Sequence, residues 1–155
     1  MSHSILITGA SGYLGGSLLA HLRPADLPPH SQIFALVRSA AQAEAVKQYG
    51  ATPLMLDPGD QDSVTKCIVN ARITIIYFLV DAINSEFQIS MIKALGEVKK
   101  QTGQQVHFLH TSGAKLFSEH AGFPTSRPIL DTDMNLYDLQ KTSRPPHAML
   151  AQVRF

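Results

Sequence analysis

Short apolar runs and amphipathic stretches alternate along most of the chain. Five of the apolar runs have the length and composition of buried β-strands. They cover residues 4–7, 32–37, 51–57, 73–80 and 105–110. The fourth run is apolar almost throughout, which is typical of a central strand in a parallel sheet that is buried on both faces.

Helical patterns fill the intervals between these runs. They cover residues 14–22, 40–49, about 62–70 and 85–101. The first and last show apolar residues at helical spacing, and the second is predicted by its alanine-rich composition. Gly50 would close the second helix, and either Asp62 or Ser63 would cap the third. Strands and helices that alternate in this order predict an α/β fold with a doubly wound parallel sheet.

A glycine-rich turn joins the first strand to the first helix. Gly9, Gly12 and Gly15 recur there at a three-residue interval. In such a strand–turn–helix, the first glycine allows the tight turn and the second lets a phosphate approach the backbone, while the third lets the helix pack closely on the strand. The N–H groups at the helix start would then face a pyrophosphate. This context favours dinucleotide binding over an ordinary glycine-rich loop.

The run Thr8-Gly9-Ala10-Ser11-Gly12-Tyr13-Leu14-Gly15 resembles the fingerprint of the short-chain dehydrogenase/reductase superfamily. It looks most like the extended branch, which contains epimerases, dehydratases and related reductases. The resemblance implies a Rossmann fold, in which right-handed crossovers give the strand order 3-2-1-4-5. It also implies which residues of this run contact the dinucleotide: Thr8, Gly9, Ser11, Gly12, Tyr13, Leu14 and Gly15.

Arg38 stands at the end of the second strand, where an acidic residue would bind the ribose 2′-hydroxyl of NAD(H). A guanidinium can pair with a phosphate through two hydrogen bonds and can stack on adenine. Arg38, with Ser39 beside it as a further candidate contact, therefore favours NADP(H) over NAD(H). A solvated charge at the strand end is the alternative interpretation of Arg38.

Two further candidate contacts stand at the ends of the third and fourth strands. The resemblance puts Asp57 near the adenine amino group, although Asp57-Pro58-Gly59-Asp60 is equally good turn sequence. The resemblance puts Val80, at the end of the fourth strand, in a turn beneath the nicotinamide ribose. The extended branch has smaller residues in that turn.

Ser112, Tyr137 and Lys141 resemble the catalytic residues of the superfamily. The Tyr-x-x-x-Lys spacing stacks two side chains on one helix face. The resemblance implies that Tyr137 exchanges a proton with a substrate hydroxyl or carbonyl and that Lys141 orients the cofactor ribose. Ser112 would hydrogen-bond the same substrate oxygen. Pro145 and Pro146 follow closely and would interrupt the helix that carries this pair.

The length of 155 residues predicts a single domain over residues 1–155, and the resemblance implies that this domain binds NAD(P). By the resemblance, this domain corresponds to the N-terminal half of an extended-branch enzyme and lacks the region that selects the substrate. An edge strand and one face of the sheet would be partly uncovered, so we expect a homo-oligomer or a partner chain to cover them.

Charge and composition narrow the class of partner. The net charge of +1 gives no reason to expect nucleic acid, and the longest apolar run is too short to cross a membrane. We see no signal peptide, and the single cysteine, Cys67, fits a reducing compartment, so we expect a cytoplasmic protein. The seven histidines lack the spacing of a metal site, and no metal is expected.

Two functions follow from these patterns. One is oxidation or reduction of a carbonyl or secondary alcohol, or an epimerisation through such a step, with the substrate unknown. The alternative is a non-catalytic dinucleotide-binding regulator, or a truncated remnant of an enzyme. The two prolines and the bulky turn at Val80 favour this alternative.

Overall fold

The computed structural model describes residues 2–22, 25, 28–81, 86–111, 113, 118–119, 126, 128–130, 132–136 and 138. By its internal contacts the chain divides into two compact units. One contains Met1–Val80 and Glu86–Thr111, and the other contains Asp81–Ser85 and Ser112–Phe155. All the helices and strands given below belong to the first unit. The sequence expectation of one domain over residues 1–155 stays a prediction, and Ser112, Tyr137 and Lys141 lie outside the described residues.

Strands and helices alternate along the first unit. In chain order they are β1 (His3–Ile7), α1 (Tyr13–Leu22), β2 (His30–Val37), α2 (Ala40–Lys47), β3 (Thr52–Met55), α3 (Gln61–Asn70), β4 (Ile75–Phe78), α4 (Glu86–Thr102) and β5 (His107–His110). The strands form one parallel sheet in the order β3-β2-β1-β4-β5. The predicted α/β class and the predicted strand order are therefore confirmed.

The register of the sheet aligns the carboxyl ends of its central strands. Ile7, the last residue of β1, pairs with Ala35 in β2 and with Tyr77 in β4. The segments that follow β1, β2 and β4 consequently leave the sheet along the same edge. In an open parallel sheet this is the edge at which ligands bind.

Successive side chains of the strands pack on opposite faces of the sheet and form two apolar clusters. On one face, Leu6, Phe34 and Phe78 pack with residues of α3 and α4, namely Val64, Ile68, Met91, Ala94, Leu95 and Val98. On the other, Ile5, Ile7 and Val37 pack with residues of α1 and α2, namely Leu19, Leu22, Ala43 and Val46. The sheet is thus covered by helices on both faces, as in a doubly wound fold.

The cap of α3 differs from the sequence prediction. Asp60 occupies the cap position, and its carboxylate accepts hydrogen bonds from the backbone N–H of Ser63 at 3.1 Å and from the Ser63 hydroxyl at 2.6 Å. These two bonds lower the pKa of Asp60 below its usual value. The prediction of Asp62 or Ser63 as the cap is therefore wrong, because Ser63 is the donor to a cap three residues earlier.

Three strands are shorter than the apolar runs that predicted them. The run over 73–80 contains only Ile75–Phe78 as strand, although Ile73 and Thr74 are both buried. Ile73 closes α3 instead, since its N–H donates to the carbonyl oxygen of Ile68 at 3.0 Å. The third and fifth strands are likewise limited to Thr52–Met55 and His107–His110.

Among the described residues, no helix has both the length and the apolar character needed to span a membrane.

Candidate functional site

The turn between β1 and α1 depends on the backbone freedom of Gly9. Gly9 has a φ of +61°, a conformation that residues with a side chain rarely adopt. The N–H of Gly12 donates to the carbonyl oxygen of Gly9 at 2.9 Å, and the N–H of Gly16 donates to that of Gly12 at 2.8 Å. These bonds reverse the chain within a few residues, so that α1 begins directly above the end of β1.

Gly15 sets how closely α1 approaches that strand end. A β-carbon added to Gly15 would lie 2.2 Å from the carbonyl oxygen of Gly9 and 2.7 Å from the Cα of Ala10. Neither distance is compatible with a side chain, so only glycine fits. The first N–H groups of a helix have no partner within the helix, and here they lie at the edge of the sheet where ligands bind.

Thr8 holds the end of β4 beside the glycine turn. Its side chain is completely buried, and its hydroxyl accepts a hydrogen bond from the N–H of Leu79 at 3.0 Å. The Thr8 N–H donates to the carbonyl oxygen of Tyr77 at 3.0 Å. A β-carbon on Gly9 would lie 3.2 Å from the Leu79 carbonyl oxygen, which shows how tightly these two turns pack.

The ends of these strands enclose a cleft of about 570 Å³. Its walls come from the glycine turn, from the ends of β2, β3 and β4, and from the first turns of α2 and α4. The lining residues are Gly9, Ser11, Gly12, Leu36, Val37, Arg38, Gln42, Asp57, Pro58, Leu79, Val80 and Phe87. A smaller hollow of about 300 Å³ shares Val37, Arg38, Asp57 and Pro58 with the cleft and adds Met55 and Leu56. Both volumes fall within the range of small-molecule sites.

Six of the residues predicted from the sequence line this cleft together: Gly9, Ser11, Gly12, Arg38, Asp57 and Val80. The other described candidates do not line it. Thr8 and Gly15 are buried beneath the turn, Tyr13 and Leu14 are exposed in the first turn of α1, and Ser39 caps α2.

Arg38 and Asp57 bring opposite charges to the cleft. Both side chains are exposed, and among the described residues no carboxylate forms an ion pair with Arg38. One oxygen of Asp57 accepts a hydrogen bond from the N–H of Gly59 at 2.9 Å. Asp57 therefore also stabilises the turn, which was the alternative interpretation of this residue. Arg38 therefore presents a guanidinium that can receive an anion.

Gln42 lines the cleft and was not predicted from the sequence. Its side-chain oxygen accepts a hydrogen bond from the N–H of Arg38 at 2.9 Å, and its own N–H donates to the Ser39 hydroxyl at 3.3 Å. The signal was available, because Ser39-x-x-Gln42 has the spacing of a capping box. The apolar wall residue Phe87 gave no comparable signal.

The sheet order, the glycine turn and the cleft at the strand ends together define a Rossmann fold. The family follows from the sequence of the same region. The chain belongs to the NmrA-like family, whose model matches residues 1–131.

Solved structures with the same fold include three reductases. Leucoanthocyanidin reductase from Vitis vinifera, solved as a binary complex with NADPH, is 23% identical with a TM-score of 0.50, covering 68% of this chain and 34% of that one. Triphenylmethane reductase from Citrobacter sp. is 24% identical with a TM-score of 0.51, covering 73% and 38%. An NADPH-dependent quinone oxidoreductase from Escherichia coli is 23% identical with a TM-score of 0.50, covering 95% and 42%.

These likenesses show the fold, since all three identities are low. The chain spans between 34% and 42% of the length of these three proteins. No curated protein matches the chain in sequence.

Proposed function

We propose that the cleft binds a nicotinamide dinucleotide and prefers NADP(H) to NAD(H). The observation that carries this proposal is that Arg38 and the glycine turn that leads into α1 border the same cleft. A dinucleotide carries a pyrophosphate, and NADP(H) adds a phosphate on the adenosine ribose. The site would therefore need a phosphate-binding helix start together with a second anion-binding group.

The residues present fit a pyrophosphate at the start of α1. Gly12 is exposed and lines the cleft without a side chain of its own, so a phosphate can approach the backbone there. Gly15 brings the helix start onto the strand end, since no side chain fits between them. The helix dipole and the N–H groups of the first turn would stabilise the negative charge.

The residues at the ends of β2 and β3 fit an adenosine 2′-phosphate. Arg38 is exposed, and among the described residues its guanidinium pairs with no carboxylate, so it can bind a phosphate through two hydrogen bonds. Met55 and Leu56 give the adjacent hollow an apolar wall for a flat ring, and Asp57 supplies an acceptor beside it. Two of the similar structures support NADPH as the ligand, because one was solved with NADPH and another is described as NADPH-dependent.

We further propose a reaction for the protein of which this chain is a part or the whole: oxidation or reduction of a carbonyl or secondary alcohol. The dinucleotide would supply the hydride chemistry. Tyr137 would hold or release the proton at the substrate oxygen, Ser112 would hydrogen-bond that oxygen, and Lys141 would orient the ribose and favour ionisation of the phenol. These roles come from the sequence resemblance, and the substrate is unknown.

A second candidate function is a regulator that binds the dinucleotide without turnover. It is favoured by the bulk of Leu79 and Val80, which line the cleft. Smaller residues at this turn would leave more room for the nicotinamide ribose. Pro145 and Pro146, four and five residues after Lys141, favour it as well. A screen of carbonyl substrates with NADPH distinguishes the enzyme from the regulator. An enzyme would consume NADPH, whereas its Tyr137→Phe variant would bind NADPH without consuming it. A regulator would bind NADPH and consume none.

We also propose a cytoplasmic location and a partner for the sheet. The single cysteine, Cys67, suits a reducing compartment. In the described part of the chain, β3 and β5 are the outer strands, and Leu109 of β5 is 47% exposed. A second copy or another chain would cover such an edge. Sedimentation of the purified chain at several concentrations tests for the second copy.

A further inference from the structure

The side chain of Gln42 connects the start of α2 to the wall of the cleft. Its oxygen accepts the N–H of Arg38 at 2.9 Å, while its backbone N–H donates to the Ser39 hydroxyl at 3.3 Å. Gln42, the third residue of α2, thus accepts a hydrogen bond from Arg38 and donates one to Ser39, the two residues that precede the helix. Gln42 is half-buried and belongs to the same cleft wall as Arg38.

The hydrogen bond to Arg38 fixes which way the amide of Gln42 is turned. A backbone N–H can only donate, so the atom that faces it must be the oxygen of the amide. The nitrogen, Nε2, then occupies the other end of the same planar group and keeps two hydrogens to donate. Among the described residues, no hydrogen bond from Nε2 of Gln42 is found.

We propose that Gln42 is a specificity-determining residue that reads the ribose 2′-phosphate together with Arg38. This inference rests on the proposed binding of NADP(H) at the cleft. Nε2 donates to a phosphate oxygen, and the guanidinium of Arg38 supplies the charge. Because the Gln42 oxygen accepts the backbone N–H of Arg38, the amide of Gln42 is held beside the residue that supplies the charge. NADH has no 2′-phosphate and gains nothing from this donor.

A purely structural role for Gln42 makes a different prediction, and two substitutions separate the roles. Gln42→Glu keeps an oxygen that can accept the Arg38 N–H, so this hydrogen bond is kept, but it replaces the donor with a negative charge. Gln42→Lys keeps a donor and adds a positive charge, but it has no oxygen to accept that N–H, so this hydrogen bond is lost. Gln42→Glu should therefore lose NADPH affinity and keep its stability, whereas Gln42→Lys should lose stability and keep NADPH affinity.

The experiment measures the dissociation constants of NADPH and NADH by nicotinamide fluorescence and records the melting temperature without nucleotide. We expect Gln42→Glu to weaken NADPH binding by about tenfold or more, since a hydrogen bond to a charged group is lost and repulsion is added. Its NADH affinity and melting temperature should stay near those of the wild type. Gln42→Lys should keep or tighten NADPH binding and melt at a lower temperature. Gln48→Glu, at the other end of α2, makes the same charge change and should leave the NADPH to NADH ratio unchanged.

The outcomes separate this inference from the proposed function. If Arg38→Ala lowers the NADPH to NADH preference and Gln42→Glu does not, the Gln42 side chain only holds the Arg38 N–H and the inference is overturned, while the proposed function stands. Equal losses of NADPH and NADH affinity in Gln42→Glu also overturn it, because a phosphate reader must act on NADPH alone. If the wild type binds neither nucleotide, the proposed function fails and the inference fails with it.

Discussion

Gly15 and Gly9 lie so close together that a β-carbon on Gly15 would stand 2.2 Å from the carbonyl oxygen of Gly9. This contact joins the first turn of α1 to the turn that follows β1. It explains why the third glycine of the motif is needed even though it does not line the cleft. The geometry of the site thus depends on a buried contact beneath it.

Gly15→Ala should destabilise the chain strongly, whereas Gly16→Ala should not. Overpacking against backbone atoms typically costs about 1–3 kcal/mol, occasionally more. The matched control is the next residue of the same helix, where an added β-carbon meets nothing nearer than the Ala10 carbonyl oxygen at 3.8 Å. There, alanine should stabilise α1 by roughly 0.5–1 kcal/mol, since it restricts the unfolded chain more than glycine does. Urea denaturation of both variants checks the opposite signs, and equal midpoints would contradict the contact.

Thr8→Val should cost more stability than Thr8→Ser. Valine keeps the shape of threonine but removes the hydroxyl that accepts the Leu79 N–H at 3.0 Å. An N–H left without its partner in the interior costs about 1–3 kcal/mol. Serine keeps the hydroxyl and loses only a methyl group. Denaturation midpoints give the order of stability, and a valine variant as stable as the wild type would show that this bond does not hold the end of β4.

Acid should destabilise the wild type more than the variant Asp60→Asn. The two hydrogen bonds from Ser63 lower the pKa of Asp60 in the folded chain, so its carboxylate stabilises the fold above the unfolded pKa of about 4, and this contribution is lost as the pH falls through the folded value. Asparagine caps a helix about as well and does not titrate. Melting temperatures between pH 6 and pH 3 should therefore fall less steeply for Asp60→Asn.

The neighbouring variant Asp62→Asn is the control for this acid series. Asp62 lies in the first turn of α3 but is not its cap. It should keep more of the acid sensitivity of the wild type than Asp60→Asn does. If Asp60→Asn and the wild type show the same slope with pH, Asp60 is not the group that couples the fold to acid.

The strand order could be predicted from the sequence because it depends on the alternation of strands and helices and on the handedness of the crossovers. Neither changes when the boundary of a strand is misplaced by a few residues. The boundaries could not be predicted as well. Ile73 and Thr74 are buried like strand residues, but Ile73 bonds back to α3 and lies outside the strand. The apolar sequence therefore predicted which residues are buried, but not which of them belong to the strand, because a strand also requires a ladder of backbone hydrogen bonds.

The cleft was predicted best where its residues follow a strand within one or two positions, as Arg38 and Asp57 do. Thr8 was predicted to contact the dinucleotide but does not line the cleft. Its side chain is buried, and its hydroxyl accepts a hydrogen bond from the turn after β4. Gln42 was missed because its place in the cleft wall depends on a hydrogen bond to Arg38 that no apolar period reveals. Both cases depend on the pairing of specific polar atoms, which hydrophobic pattern does not encode.

The central claim, a cleft that binds NADP(H) through Arg38, is tested most directly by titrating the purified chain with NADPH and with NADH. We predict tighter binding of NADPH, and a loss of that preference in Arg38→Ala by about tenfold or more, since a charged pairing with phosphate is removed. Arg72→Ala, at the end of α3 next to the opposite edge of the sheet, removes the same charge and should keep the preference. Binding of neither nucleotide, or a preference that Arg38→Ala leaves unchanged, would contradict the account.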